Sequence, residues 1–393
     1  MGSGIMQTRL AERNSKISSF YVMELLRHAK QLESQGKDII HMEIGEPDFP
    51  TPPTIVNAGI KHIQTGEVKY TPAAGLPELR KKIAAFYKQR YGVTINEQRI
   101  FVTPGASGAF LLAFGVSLNP QEELLIADPC YPCNSNFTRL FDGKTKTIAV
   151  DAGTGYQLTA QLIKEYWTPA TKGALIASPS NPTGTLITPE ELQQAIATVN
   201  DLGGCFYSDE IYHGLVYDTT ATSALAFSDD VFVINSFSKY FGMTGWRIGW
   251  LIVPDEFIEA TEKLAQNIYI STSTPAQYAA LAAFDENTLA ELENRRREFA
   301  ARRDFLYDNL LRLGFEIPIK PAGAFYIYAN AKKFTDDSYQ FALDFLEAEG
   351  VAITPGKDFG SNEANHMLRF SYTTSFAKMT IAIQRLDRFI NKG

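Results

Sequence analysis

From about residue 100 onward, short runs of consecutive apolar residues alternate with segments whose apolar positions recur every three to four residues. RIFVTP, ELLIADP, TKTIAV, GALIASPS, GCFYSDE, VFVINSFS and RIGWLIVP have the density of β-branched and aromatic residues that predicts strands. Between them, ASGAFLLAFGVSL, TAQLIKEYW and TPEELQQAIATVNDLG predict helices, and Thr188 and Glu191 stand at capping-box spacing at the start of the last. Apolar strands separated by helices predict a mostly parallel sheet covered on both faces. The expected class is therefore α/β, a large domain with helices flanking that sheet.

The pattern changes near residue 286. A long helical stretch, AGAFYIYANA, a further helix, VAITPG, HMLRFSY and a last helix predict a smaller α+β domain over 286–393. The larger domain is expected over 50–285. The segment 1–49 holds the helical pattern SFYVMELLRHAKQLESQG and is expected to pack with the small domain. RRREF, Arg295–Phe299, reads as a solvated helix face.

Composition narrows the classes. The chain has 393 residues, 45% hydrophobic and 21% charged, with a net charge of −7. That balance fits a globular protein and argues against a nucleic-acid partner, which calls for a basic face. No apolar stretch is long enough to span a membrane, so no membrane association is expected. MGSGIMQTRLAERNS lacks the apolar core of a signal peptide. Three cysteines, Cys130, Cys133 and Cys205, suit a reducing compartment, and a cytoplasmic location is expected. CYPC has the C-x-x-C spacing, but Pro129 and Pro132 predict a kinked loop rather than a redox motif. No pattern for a metal site is present.

The chemistry concentrates in SFSKYFGMTGWR, Ser236–Arg247. A lysine amine, once deprotonated, is a nucleophile toward an aldehyde. Ser236, Ser238 and Arg247 offer hydroxyls and a planar cationic fork that suit a phosphate. The turn TPGAS, Thr103–Ser107, opens a helix after a strand, where free amides attract anions. Asp209 ends a buried strand, a costly place for an unpaired carboxylate. A protonated pyridine nitrogen would be a suitable partner there, with Tyr212 and Asn181 able to bond the ring oxygen and Tyr131 to lie against the ring. Asn181, Asp209, Lys239 and Arg247 follow one another at intervals of 28, 30 and 8 residues.

These blocks, with IGEPDFPTP, YTPAAG, DPCYP, SNPTG, SDEIY, PAGAFY and LRFSY, cover nearly the whole chain. Together they resemble the class I/II aminotransferase family, fold-type I enzymes that depend on pyridoxal 5′-phosphate. The resemblance implies that Lys239 is the Schiff-base lysine and that Asp209 binds the pyridine nitrogen. Tyr212 and Asn181 would contact the ring oxygen, and Tyr131 would stack on the ring. Ala106, Ser107, Ser236, Ser238 and Arg247 would hold the phosphate. Tyr70 would reach the site of a neighbouring subunit, so a homodimer is implied. Arg369 would clamp the substrate α-carboxylate, helped by Asn181 and Gly45. The implied reaction is ping-pong transfer of an amino group from an L-amino acid to a 2-oxo acid. A carbon–sulfur β-lyase on the same fold is the alternative. A regulatory binder would need a DNA-binding module, for which the sequence before Ile44 leaves no room. The aromatics of PAGAFYIY permit apolar donors, and the absence of a cation at Ser107 and Gly108 lowers the expectation for aspartate.

Overall fold

The computed structural model describes residues 10–17 and 20–391. The reading of a missing signal peptide falls largely on residues 1–9, outside the described residues. Among the described residues, no helix is long and apolar enough to cross a membrane.

Seven strands form the central sheet. Their order across it is Ile100–Thr103, Gly249–Ile252, Phe232–Ser236, Cys205–Asp209, Thr171–Ala177, Glu123–Asp128 and Lys144–Ala149. Only Gly249–Ile252 runs against its neighbours; the other pairings are parallel. The sheet is thus mostly parallel, as the apolar runs predict. Successive side chains enter opposite cores. Phe206 and Val233 pack on one face, while Tyr207 and Ile234 pack on the other. Helix Gly105–Ser117 is apolar on nearly every side and lies buried on the second face.

Parallel strands bring their carboxyl ends to one edge. Ala177 stands beside Asp209, and Asp209 beside Ile234. Thr103 and Ser236 flank Gly249 from either side. Gly249 must lack a side chain, because a Cβ there would fall 2.7 Å from Asn235 O, 2.8 Å from Gly105 C and 3.0 Å from Ala106 N. The start of helix Gly105–Ser117 can therefore sit directly on the sheet edge.

A three-stranded antiparallel sheet, Thr354–Pro355, Met367–Ser371 and Tyr326–Asn330, lies outside the central one. The chain's early residues join this part. Ile40–His41 pairs in parallel with Val351–Ala352, and helix Tyr21–Ser34 buries Leu25, Ala29 and Leu32. Helix Glu286–Leu313 runs along the molecule.

Two local expectations are revised. Thr188 caps its helix by accepting from Glu191 N–H, but the Glu191 carboxylate accepts from Ala160 N–H rather than returning to Thr188. The capping box is half formed, and its acid ties two helices together. Of the arginines of RRREF, Arg297 is exposed as expected, whereas Arg295 and Arg296 are not simply solvated. Arg295 Nη1 donates to Pro50 O at 2.6 Å, and Arg296 Nη1 to Val216 O at 3.0 Å. A helix this long passes under loops whose carbonyls need donors, which periodicity alone does not reveal.

Gly249→Ala should lower stability by about 1–3 kcal/mol through overpacking. Urea unfolding would show it as a lower midpoint at unchanged slope, and a midpoint equal to the parent's would refute the close approach.

Candidate active site

A cavity of about 330 Å³ opens at the carboxyl edge of the central sheet. Lys239, Asp209, Tyr212, Asn181, Tyr131, Ala106, Ser107, Ser236, Ser238, Arg247, Arg369 and Gly45 all line it. Residues up to 324 positions apart in sequence are thus brought together by strand order. Tyr70 is not among the lining residues; its side chain is 81% exposed.

On the floor, Asp209 ends its strand in a buried position. Its Oδ1 accepts from Ile211 N–H at 3.2 Å. Burial pushes the carboxyl up to about 7, against the pull of that amide and of Lys239. Lys239 Nζ donates to Gly45 O at 2.6 Å and lies between the rings of Phe325 and Tyr212, 5.8 and 6.0 Å from their centroids. Burial brings its ammonium down to about 8; Glu46 opposes that shift, while Arg369 and Arg247 add to it. Gly45 has no room for a side chain, since a Cβ would meet Tyr326 Oη at 2.0 Å. Tyr212 and Tyr326 share a hydroxyl–hydroxyl bond of 2.8 Å. Burial, then the neighbouring Tyr326, keep the Tyr212 phenol well above its ordinary range, so it remains protonated.

At one end, the loop after Phe232–Ser236 folds over its own serines. Ser236 Oγ donates to Ser238 Oγ at 2.9 Å, and Ser238 N–H donates back to Ser236 Oγ at 3.0 Å. Arg247 adopts a left-handed backbone, φ 53°, and its Nη1 reaches Thr244 O at 3.2 Å. A Cβ at Gly105 would lie 2.7 Å from Arg247 Nη2. Glycine therefore lets the guanidinium close over the helix start, where the amides of Ala106 and Ser107 lie.

At the other end, Arg369 is buried on strand Met367–Ser371. Nη1 donates to Asn181 Oδ1 at 2.7 Å, and Nη2 to Glu43 O at 2.6 Å and Thr354 Oγ1 at 3.2 Å. The Tyr326 and Phe359 rings flank it at 4.2 and 4.7 Å. All three partners are neutral oxygens, and Nε is buried without a partner. The cation thus retains capacity for a carboxylate.

Three contributors escaped the sequence reading. The Glu43 carbonyl is one, and no side-chain pattern signals a backbone acceptor. Phe359 and the apolar wall of Phe20, Val22, Met23 and Leu26 are the others. Apolar spacing in SFYVMELL marks a helix but not which cavity it faces. CYPC opens a helix at Cys133 after a non-helical loop, and its cysteines are free. Burial, with Asp128 adding, pushes the Cys130 thiol up to about 12, too high for thiolate chemistry at neutral pH.

A buried amine and carboxylate, hydroxyls and a guanidinium at one end and a second buried guanidinium at the other suit chemistry on an amino acid through a phosphorylated aldehyde. Comparison with known proteins agrees. The sequence model of the family described as "Aminotransferase class I and II" matches residues 37–386. The chain is 39% identical to the (5-formylfuran-3-yl)methyl phosphate transaminase of Methanocaldococcus jannaschii, over 98% of this chain and 100% of that one. It is 36% identical to the valine–pyruvate aminotransferase of Mycobacterium tuberculosis, over 98% and 99% respectively. The crystal structure of an aminotransferase from Mycobacterium tuberculosis superposes with a TM-score of 0.95 at 34% identity, covering 98% of this chain and 100% of that one. The chain belongs to the class I and II aminotransferases. It is a pyridoxal-phosphate-dependent transaminase of fold type I, and no feature of the comparisons favours a carbon–sulfur lyase.

Each of the two pKa shifts favours a neutral group. The unfolded chain keeps the lysine proton up to about pH 10.4. Between the folded and unfolded values the unfolded state binds more protons, so this term adds stability as pH rises from about 8 to 10. For Asp209 the folded state binds more protons between about pH 4 and 7, so its contribution is full below about pH 4 and falls away as pH rises to about 7. In cofactor-free protein, acetylation of Lys239 should reach half its limiting rate near pH 8, with Asp209→Asn moving that midpoint lower. Peptide mass spectrometry over pH 6–11 measures it, and a midpoint above 10 would contradict the burial argument.

Proposed function

We propose that this transaminase takes L-amino acids with apolar or aromatic side chains as donors and 2-oxo acids as acceptors. The observation carrying this reading is Arg369, a buried guanidinium bonded to neutral oxygens, facing a cavity walled by Val22, Met23, Leu26 and Phe359. It would grip the α-carboxylate while the side chain packs against that wall. The valine–pyruvate activity in one relative's name is in keeping with such a donor.

The residues present fit pyridoxal phosphate. Lys239 is the amine that would hold it covalently, Asp209 would hold a proton on the ring nitrogen, and Tyr212 and Asn181 would donate to the ring oxygen. Tyr131 would lie on the ring, and Ala106, Ser107, Ser236, Ser238 and Arg247 would take the phosphate. When bound, the cofactor supplies a carbonyl for the donor's amine and an electron-withdrawing ring for the charge that develops at Cα. Lys239, neutral above about pH 8, would take the proton from Cα and return it two bonds away, on the carbon that the cofactor's carbonyl supplied. Gly45 O would orient that amine.

A homodimer is part of the reading. Tyr70, Ile60, Ile63 and Val68 are each exposed, and a second copy covering them would bring Tyr70 to its phosphate site. The division into 1–49, 50–285 and 286–393 belongs to the same reading, and the pairing of Ile40–His41 with Val351–Ala352 supports grouping the first segment with the small domain. Free cysteines favour a cytoplasmic site of action.

Borohydride should fix the cofactor on the peptide containing Lys239, and Lys239→Ala should retain cofactor without turnover. Arg369→Gln should lower kcat/KM roughly 100-fold for every donor, from the loss of charge-assisted bonds. Assaying a panel of donors with 2-oxoglutarate and pyruvate tests the donor class; activity confined to acidic donors would reject it. Asp209→Ala should depress the chemical step far more than cofactor affinity, and equal losses in pre-steady-state rate and cofactor Kd would count against the proposed role.

A further inference from the structure

Helix Tyr21–Ser34 begins without a cap of its own. Phe20 occupies the N-cap position and makes no side-chain bond, where an oxygen-bearing residue would ordinarily serve. The acceptor comes from the other end of the chain. Asp358 Oδ1 accepts from Tyr21 N–H at 2.8 Å. Asp358 is buried, and the next residue, Phe359, is the ring that flanks Arg369.

The same short segment is anchored from a third side. Cys130 N–H donates to Phe359 O at 2.9 Å. The Asp128 carboxylate accepts from Ser361 N–H at 3.1 Å, Ser361 Oγ at 3.0 Å and Asn362 N–H at 3.3 Å. A Cβ at Gly360 would fall 1.8 Å from Asp128 Oδ1. Residues 358–362 therefore form a fixed bracket between the end of strand Glu123–Asp128, the ring beside Arg369 and the first turn of the helix. The body of that helix needs no such help, because Leu25, Ala29 and Leu32 are buried. Phe20, Val22 and Met23, which line the cavity, belong to the turn that does.

We infer that Asp358 is a positioning residue for donor selectivity: by capping the helix from outside, it holds Phe20, Val22 and Met23 as the wall against which a large donor side chain packs. This rests on the apolar-donor reading above. A carboxylate at the cavity could instead bind a cationic donor side chain directly. Its bond to the Tyr21 amide favours the positioning role.

Two variants of the holoenzyme test it from opposite sides of the bond. Asp358→Ala removes the acceptor. Tyr21→Pro removes the donor at the first helical position, where proline fits. In both, KM for phenylalanine should rise roughly tenfold and KM for alanine by about twofold or less. Amide exchange in a peptide spanning residues 20–26 should quicken in Asp358→Ala, and Asp358→Asn, which keeps an acceptor oxygen, should restore most of both losses. Unchanged exchange in Asp358→Ala overturns the inference whatever the donors do. Quickened exchange with equal losses for alanine and phenylalanine overturns it too, as does selective loss of ornithine turnover. A parent enzyme inactive on phenylalanine defeats the donor reading itself and is recognised before any variant is made. If Asp358→Ala does not fold, the donor ratio in Tyr21→Pro decides alone.

Discussion

A lysine amine begins to lose its proton near pH 8 only where water is scarce, and the features of this fold that matter to the site follow from making that place. Lys239 lies at the end of a buried parallel strand, between two aromatic rings, with a single carbonyl as its anchor. The same dryness raises Asp209 toward 7. Two groups that would neutralise each other in a salt bridge are instead kept apart, each under-compensated. Burial favours the neutral form of both groups, which lowers the cost of leaving them without a charged partner.

The dry edge is also crowded with glycine where backbones must approach. Gly249 lets a helix start sit on the sheet, Gly105 admits the Arg247 guanidinium, and Gly45 brings a carbonyl past Tyr326 to the lysine. At each position the nearest atoms leave no space for a methyl group. Packing and electrostatics are therefore one problem here: the close approaches that exclude water also place amides and carbonyls at the polar ends of the cavity.

Much of this was legible in the sequence. Apolar runs gave the central strands, and strand ends carrying Asn181, Asp209 and Lys239 pointed to one edge, because parallel strands leave no other arrangement. Arg369 and Gly45 required family resemblance, since nothing in LRFSY or IGEPDF by itself says that they meet. What stayed hidden has a common physical character. The Glu43 carbonyl, the external cap from Asp358 and the carbonyl partners of Arg295 and Arg296 are contacts between a side chain and a distant backbone group. Every residue carries the same backbone, so composition and spacing hold no trace of them. Tyr70 is the opposite case: its motif was plain, yet it stands exposed and does not line the cavity.

Beneath the cavity floor lies a further layer of this kind. Glu210, next to Asp209, is fully buried, and its carboxylate accepts from Ser208, Ser223 and the Ala224 amide at 2.9–3.2 Å. Tyr87 Oη lies 3.4 Å from Glu210 Oε2 and 3.3 Å from Trp250 Nε1, and the Asn235 amide approaches it at 3.5 Å. Asn235 in turn accepts from Ser236 N–H at 2.7 Å. The neighbours of Asp209 and of Ser236 are thus joined through one buried polar chain. His213, 3.5 Å from Glu210, does not charge it: burial, then Arg90, hold the imidazole down at about 3. A carboxylate so deep must be almost wholly satisfied by neutral donors, and those donors come from several separate elements. Burial raises the Glu210 carboxyl to about 7, and moving any one of these donors leaves that buried group short of a bond, so the spacing of Asp209 and Ser236 is braced from below. An apolar core of the same shape would pack as well, but it would not set that distance.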